Sequence, residues 1–363
     1  MHIVLDGSPL TVASGGIRRY TMELARALSA LAFDDQVTLL CDRPLVGLPL
    51  PTSSGIQVVA QAASGWRKRW WSLGVSSAAR QLQASVFHGV DFTVPYLHRH
   101  PAVMTIHDLS PWRFPHWQPA ASRIRRRTPW LLRLGLADMV ITVSEAVRLE
   151  VLDTFRLNPD QVVAIPLAAD ACFRPHPPSA QHPDNSAVAK PYFLYVGTNE
   201  PRKNLLTLVE AWRQLPAPQR PELWIVGRMR EDGFQLPLLD GLRNLGMAPD
   251  TALAPLYANA LATMYPSVYE GFGLPVLEAM QCGSPVVVGD CPALRELATG
   301  AAILLPPDRV PDWRDAMQRV VQDAELRSTL RTRSLQRSAA FSWRSTAERT
   351  RLVYQEAIAR FGR

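Results

Sequence analysis

Cysteine is scarce in this chain. There are four in 363 residues, Cys41, Cys172, Cys282 and Cys291. None forms a CxxC pair or a metal-ligand spacing, so neither a disulfide framework nor a cysteine metal site is expected, and a reducing compartment is. No apolar run reaches the roughly 18–20 residues of a membrane span. The opening Met-His-Ile-Val-Leu-Asp reads as a strand and not as a targeting segment. No GxGxxG follows the first strand, which removes the dinucleotide fingerprint. No DxD stands near a strand end, so no metal is implied. The charge excess is small: 39 basic against 32 acidic residues, a formal +7. That suits an anionic ligand or an acidic membrane surface, and it is too dispersed for nucleic acid.

What is present is globular material, 47% hydrophobic and 20% charged. The length predicts about two to three domains. Short apolar runs alternate with amphipathic stretches: strands at His2–Leu5, Val37–Cys41, Gln57–Ala60, Ser85–His88, Ala102–Ile106, Met139–Ser144 and Val162–Pro166. Helices are expected at about 17–32, 66–82 and from Ser144 to Phe155. Residues 174–191 are rich in proline and polar residues and read as a linker. The strand–helix rhythm restarts at Tyr192–Val196. A single long helix is expected over 310–333 and another over 343–361. This pattern is α/β, with domains at 1–173 (plus the helix 343–363) and 192–342.

Chemistry concentrates at Glu270-Gly271-Phe272-Gly273-Leu274-Pro275-Val276-Leu277-Glu278. An apolar strand, Ala262–Tyr265, precedes it and a helix over 276–281 follows. Gly271 and Gly273 turn the chain, and Pro275 suits a first helical position, where a missing N–H costs nothing. A strand, a glycine turn and a helix start present backbone amides to an anion. The flanking carboxylates, Glu270 and Glu278, would face neutral polyol parts of the ligand. A nucleotide sugar has that layout: sugar hydroxyls, diphosphate, ribose hydroxyls. Arg202 and Lys203 follow the strand end at Gly197, at the level where phosphates would sit. As an exposed pair, their removal is expected to change stability by less than about 0.5 kcal/mol. Ser14-Gly15-Gly16 stands at another strand end, where open α/β sheets bind ligands, and so do His88 and His107-Asp108.

The block Pro266-Ser267-x-x-Glu270-Gly-Phe-Gly-Leu-Pro275-x-x-Glu278-Ala279-Met280, followed by Gly283-Ser284-Pro285-Val286-Val287, resembles retaining glycosyltransferase family 4. So do Thr105-x-His107-Asp108-Leu109 and Gly197-x-x-x-Pro201-Arg202-Lys203-Asn204. The resemblance covers nearly the whole chain and is densest from Tyr192 to Leu305. It implies the GT-B fold: two Rossmann-like domains facing across a cleft, an N-terminal acceptor domain, a C-terminal donor domain and a last helix crossing back to the first.

It further implies a retaining, metal-independent transfer of a hexose, a mannose-type donor favoured, from a nucleotide-diphosphate sugar. The acceptor would be a glycan or a lipid-linked glycan of bacterial polysaccharide or cell-envelope synthesis, and no cofactor is needed. Glu270 would hold the sugar, Glu278 the ribose, and Arg202, Lys203 and residues 271–274 the diphosphate. Gly15 or Gly16 would lie against that diphosphate, His107 near the donor sugar and Asp108 on the acceptor side. Each such donor to developing charge typically contributes about 3 kcal/mol.

Two features depart from the family. Thr198 stands where many members carry an arginine, and the degenerate Leu242–Met247 makes the base unreadable. Rival readings are an epimerase or phosphorylase on the same fold, an NAD(P) oxidoreductase, and an inactive nucleotide-sugar-binding or scaffold subunit. Finally, Arg67–Trp71 and Arg123–Trp130 interleave basic residues with tryptophan, which would suit peripheral contact of a cytoplasmic protein with anionic lipid.

Overall fold

A computed structural model describes residues 1–11, 15–31, 33–43, 45, 55–60, 70–176, 190–230 and 234–362. The chain divides into two compact units, Met1–Leu167 with Ser342–Arg363, and Ala168–Phe341.

In the first unit the strands are β1 (His2–Asp6), β2 (Gln36–Cys41), β3 (Ile56–Ala60), β4 (Val86–Gly89), β5 (Ala102–Ile106), β6 (Met139–Thr142) and β7 (Val162–Ala164). They form one sheet in the order β3-β2-β1-β4-β5-β6-β7. Every pairing is parallel, with Ile3 opposite both Val37 and Val86. Buried on both faces, the inner strands read as continuous apolar runs and not as alternating ones. The helices are α1 (Gly16–Ser29), α2 (Val75–Gln81), α3 (Ser110–Arg113), α4 (Ser122–Arg133) and α5 (Glu145–Phe155). α1 buries Tyr20, Leu24 and Leu28 on one stripe. α5 starts where the Ser144 side chain accepts from the Val147 amide, as its sequence predicts, and ends at Arg156 in a left-handed conformation.

The second unit repeats the plan. Its strands are β8 (Tyr192–Val196), β9 (Glu222–Val226), β10 (Leu242–Gly246), β11 (Ala262–Tyr265), β12 (Val286–Gly289) and β13 (Ala302–Leu305), in the order β10-β9-β8-β11-β12-β13. Its helices are α6 (Leu205–Arg213), α7 (Asp250–Asn259), α8 (Leu274–Gln281), α9 (Pro292–Leu297), α10 (Val310–Gln322) and α11 (Ala324–Ser338). The core gathers Phe193, Tyr195, Trp212, Ile225, Met264 and Trp313.

The last helix, α12 (Trp343–Arg360), belongs to the first unit. Ser342 caps it by accepting from the Ser345 amide. Tyr354 anchors it through a hydrogen bond to His88 in β4, 2.8 Å. His88 in turn reaches Thr105 Oγ1 in β5, 2.7 Å.

Two helices differ from expectation. The stretch 310–333 is not one helix. At Asp323 the backbone leaves helical geometry (φ −109°, ψ 97°) and its side chain accepts from the Leu326 amide, so it caps a new helix inside a continuous amphipathic pattern. The expected 66–82 helix begins as a π-turn over Trp70–Gly74 and becomes α-helical at Val75; residues 66–69 lie outside the described residues.

Candidate active site

Each sheet reverses its strand order once, between β1 and β4 in the first unit and between β8 and β11 in the second. Ligands of open α/β sheets bind outside the carboxyl ends of strands at such reversals.

In the second unit the β8 end leads to a 3-10 turn, Pro201–Lys203, closed by Asn204 in a left-handed conformation. The β11 end leads to Glu270. The Val268 amide donates to the Arg202 carbonyl, 2.9 Å, and joins the two loops. Each oxygen of the Glu270 carboxylate then has its own cation: Lys203 Nζ donates to Oε1 at 2.5 Å and Arg202 Nη1 to Oε2 at 2.9 Å. Lys203 also hydrogen-bonds the Tyr265 hydroxyl, and Arg202 Nε donates to Glu200 at 2.9 Å.

This overturns the expectation of an exposed basic pair. Lys203 is 7% exposed and Glu270 6%. Burial would raise the Glu270 pKa, but the charges of Lys203 and Arg202 and the Lys203 hydrogen bond outweigh it and hold it at about 2. Burial pulls Lys203 below its ordinary value, with Glu270 opposing. At neutral pH Glu270 is therefore an anion that accepts hydrogen bonds and has no proton to give.

α8 starts one residue earlier than Pro275 predicts, which places Pro275 at the second helical position. Its cap, Gly273, has φ +103°, and a Cβ there would stand 2.5 Å from Leu294 Cδ2. Glycine is required twice over, by backbone and by space. Gly271 and Phe272 are buried beside it, and the Phe272 ring meets Phe341 edge-on at 6.0 Å. Glu278, one turn into α8, is 2% exposed and accepts from Tyr257 of α7 at 3.1 Å.

In the first unit His107 Nε2 donates to the Val90 carbonyl at 2.8 Å, so that nitrogen carries a proton. Asp108 accepts from the Ser110 amide at 2.9 Å and its hydroxyl at 2.6 Å, at the first residue of α3. His88 is not presented to solvent. It is fully buried among Tyr354, Thr105 and Tyr20, and burial, helped by His107, lowers its pKa to about 3. Gly15 caps α1 and Gly16 opens it, both exposed with open space where a Cβ would be. They line a cavity of about 470 Å3 with Asp6, Asp91, Trp71 and Arg127. Asp6 and Asp91, with Tyr257 and Tyr265, are residues that the sequence reading missed, whereas Trp71 and Arg127 stood in the two basic, tryptophan-bearing runs read as membrane contact. Asp6 and Asp91 carried one visible signal, their place at or just past a strand end.

Among the described residues no cluster of three His, Cys, Asp or Glu is arranged to hold a metal ion, and no helix is long and apolar enough to cross a membrane.

The two doubly wound sheets and the returning helix are the GT-B architecture. The chain superposes on sucrose-phosphate synthase from Thermosynechococcus elongatus with a TM-score of 0.78 and 21% identity over 99% of each chain. On the Anabaena protein HepE in complex with UDP-glucose the TM-score is 0.74, with 17% identity over 97% of this chain and 98% of that one. Residues 14–171 match the model of glycosyltransferase family 4 and residues 180–337 that of glycosyl transferases group 1, so the chain belongs to this glycosyltransferase family. It is also 29% identical, over 98% of its length, to the O-antigen chain mannosyltransferase B of Escherichia coli, all of which it spans.

Proposed function

We propose that this glycosyltransferase moves a hexose, mannose favoured, with retention from a nucleotide-diphosphate sugar to a glycan or lipid-linked acceptor of bacterial polysaccharide or cell-envelope synthesis. The observation that carries this reading is the Glu270 carboxylate held between Lys203 and Arg202 where the second sheet reverses. The mannosyltransferase relative supports the choice of sugar and of product. The second unit takes the donor and the first the acceptor.

The chemistry follows from the charges. A glycosyl transition state develops positive charge at the sugar and negative charge on the leaving diphosphate. Arg202, Lys203 and the start of α8 (Gly271, Phe272, Gly273 and Leu274) stabilise the leaving charge. Glu270, fixed as an anion, orients sugar hydroxyls. Glu278 holds the ribose hydroxyls, and Gly15 or Gly16 lies against the diphosphate. His107 serves the donor sugar and Asp108 the acceptor side. The leaving phosphate takes the acceptor proton, and no step calls for a cofactor or metal.

Hydrolysis and thermal-shift panels with GDP, UDP, dTDP and ADP sugars identify the donor. Glu270→Gln should cut turnover with little change in nucleoside-diphosphate affinity, and Glu278→Gln should weaken that affinity by about 1.5–3 kcal/mol. If neither variant changes either quantity, the site lies elsewhere.

A peripheral membrane position at the cytoplasmic face rests on α4. Its solvent-exposed residues Arg123, Arg126, Trp130 and Arg133 recur at helical spacing and Leu134 follows at the helix cap, with Trp130 58% and Leu134 51% exposed. Arg125 and Arg127 turn inward instead, toward the Gln118 carbonyl and the Trp71 ring. Arg67–Arg69 lie outside the described residues. Flotation with phosphatidylglycerol vesicles at low and high salt tests this, and salt-insensitive absence of binding rejects it.

A further inference from the structure

We infer that Tyr265 is a positioning residue for the transfer: its hydroxyl, fixed at the end of β11, keeps the Lys203 ammonium charged and turned so that one N–H is left for a phosphate oxygen. That the phosphate belongs to a leaving diphosphate rests on the transfer reading above; the hold on Lys203 rests on the contacts around it.

Lysine is rare in this chain. Of 39 basic residues only Lys68, Lys190 and Lys203 are lysines. Lys190 is exposed, whereas Lys203 is buried. An arginine stays charged in any protein setting, but a buried lysine can lose its proton, so its surroundings must keep it charged. Around Lys203 stand Glu270 after β11, Arg202 and Glu200 on its own turn, Tyr265 and Tyr195 from the paired strands, and Cys291 ahead of α9. Burial, and then the charge of Arg202, favour the neutral amine; Glu270 and Glu200 favour the ammonium. The Tyr265 hydroxyl accepts from the ammonium and so adds to the charged side. Burial and the Glu270 charge raise the Tyr265 pKa well above its ordinary value, so the hydroxyl acts as a neutral acceptor.

Geometry supplies the aim. An ammonium has three N–H donors. Glu270 Oε1 takes one, at 2.5 Å, and the Tyr265 hydroxyl takes a second. With two directions of a tetrahedral group fixed, the third is fixed as well. Tyr265 is rigid enough for this. It is fully buried, and its ring stacks on that of Tyr195, with centroids 6.4 Å apart. The Tyr195 hydroxyl is in turn tied to the Thr198 carbonyl, 3.2 Å away. Without the Tyr265 hydroxyl, Glu270 alone would hold Nζ, and the ammonium could swing about that one bond.

The three lysines make a direct test practical. Isotope-labelled lysine in the full chain gives carbon NMR signals to follow with pH, and Lys203→Met identifies that of Lys203. In Tyr265→Phe, which keeps the ring, Lys203 should lose its proton about one pH unit lower than in the wild type, because a hydrogen bond to a charged group is gone. Calorimetric titration with GDP, UDP, dTDP and ADP should show about tenfold weaker binding of whichever nucleotide the wild type takes. In a Lys203→Met background the same Tyr265→Phe change should alter that affinity less than about twofold, since the hydroxyl acts through Lys203. A tyrosine that only supported the fold would leave the Lys203 titration in place and weaken both backgrounds alike. Should Tyr265→Phe fail to melt as a folded protein, tyrosine labelled at its hydroxyl-bearing carbon decides in the wild type: one signal should follow the Lys203 titration and lose that step in Lys203→Met.

An unmoved Lys203 titration in folded Tyr265→Phe, equal affinity losses in the two backgrounds, or no tyrosine signal that follows Lys203 would each overturn the inference. A shifted Lys203 titration with no nucleotide bound by the wild type would strike the transfer reading and leave the hold of Tyr265 on Lys203 standing. Nucleotide binding with an unmoved titration would do the reverse.

Discussion

The two sheets reverse their order in the same way, yet the two reversal points are filled differently. In the second unit the charges are spent on one another. Glu270 holds two cations, Glu200 shares Arg202, and Glu278 accepts from Tyr257. In the first unit Asp6 and Asp91 line a cavity, and Asp91 Oδ1 has no partner among the described residues. A closed ion network fixes the positions of its groups in advance. One fold plan thus carries a closed ion network at one reversal and a cavity at the other, and the loops decide which.

The sharpest way to break this comparison is to open the network. Lys203→Ala leaves the buried Glu270 with Arg202 alone. Removing one partner of a buried pair typically costs 3–5 kcal/mol, and since Arg202 remains, about 3 kcal/mol is expected. Urea unfolding measures it. The double variant Lys203→Met with Glu270→Gln should lose less than the sum of the single losses, because the groups act together. A Lys203→Ala loss below about 0.5 kcal/mol would return the pair to the exposed surface that the sequence alone predicts.

Acid offers a second test, on the first unit. An unfolded histidine takes its proton near pH 6.5, and folded His88 refuses it until about 3. Below 6.5 the unfolded chain therefore binds more protons than the folded one. The contribution of His88 is complete above pH 6.5 and is lost as pH falls toward 3, by at most about 1.4 kcal/mol per pH unit. Glu270 adds its own loss only lower, between the ordinary glutamate range and about 2. His88→Gln should flatten the upper part of this acid limb, measured as urea midpoints from pH 7 to 4. A slope identical to wild type would mean that His88 is protonated in the folded state.

What the sequence showed, and what it hid, follows the same division. The Glu270 block was legible because its turn, helix and carboxylate signals are local, a few residues apart. The Glu270–Lys203 contact was not, since it joins residues 67 apart and depends on how β8 pairs with β11. His88 looked like a site residue because it ends an apolar strand; only Tyr354, 266 residues away, shows that α12 covers it. The break at Asp323 was hidden for the opposite reason, a one-residue cap inside a pattern that otherwise stays amphipathic. Asp6, Asp91 and Trp71 lie on separate segments and share no motif, so only the folded sheet groups them.

Gly273→Ala tests the second unit's site through its backbone. Alanine would have to adopt φ +103° with its Cβ 2.5 Å from Leu294 Cδ2. Strain of this kind, with the neighbouring leucine forced aside, is expected to cost about 1–3 kcal/mol. Thermal unfolding reads the loss. Nucleotide affinity should fall alongside, because the start of α8 shifts. A variant with wild-type stability would show that the turn relaxes freely.

The smallest expected effect probes the edge of the network, where Tyr257 donates to Glu278. Tyr257→Phe keeps the ring and its packing against Phe173, 6.0 Å away edge-on, and removes only the hydroxyl. A hydrogen bond to a charged group is worth about 1.5–3 kcal/mol, so stability should drop by about 1.5 kcal/mol. If Glu278 holds the ribose, its carboxylate must also be kept in one orientation, and the Tyr257 hydroxyl does this from α7. Nucleoside-diphosphate affinity should then fall about fivefold, with little change in the rate of a saturated single turnover. A 2′,3′-dideoxy nucleotide, which lacks the hydroxyls in question, should bind the wild type and the variant equally. Equal losses for both nucleotides would mean that Tyr257 only supports the fold, and that α7 takes no part in holding the ribose.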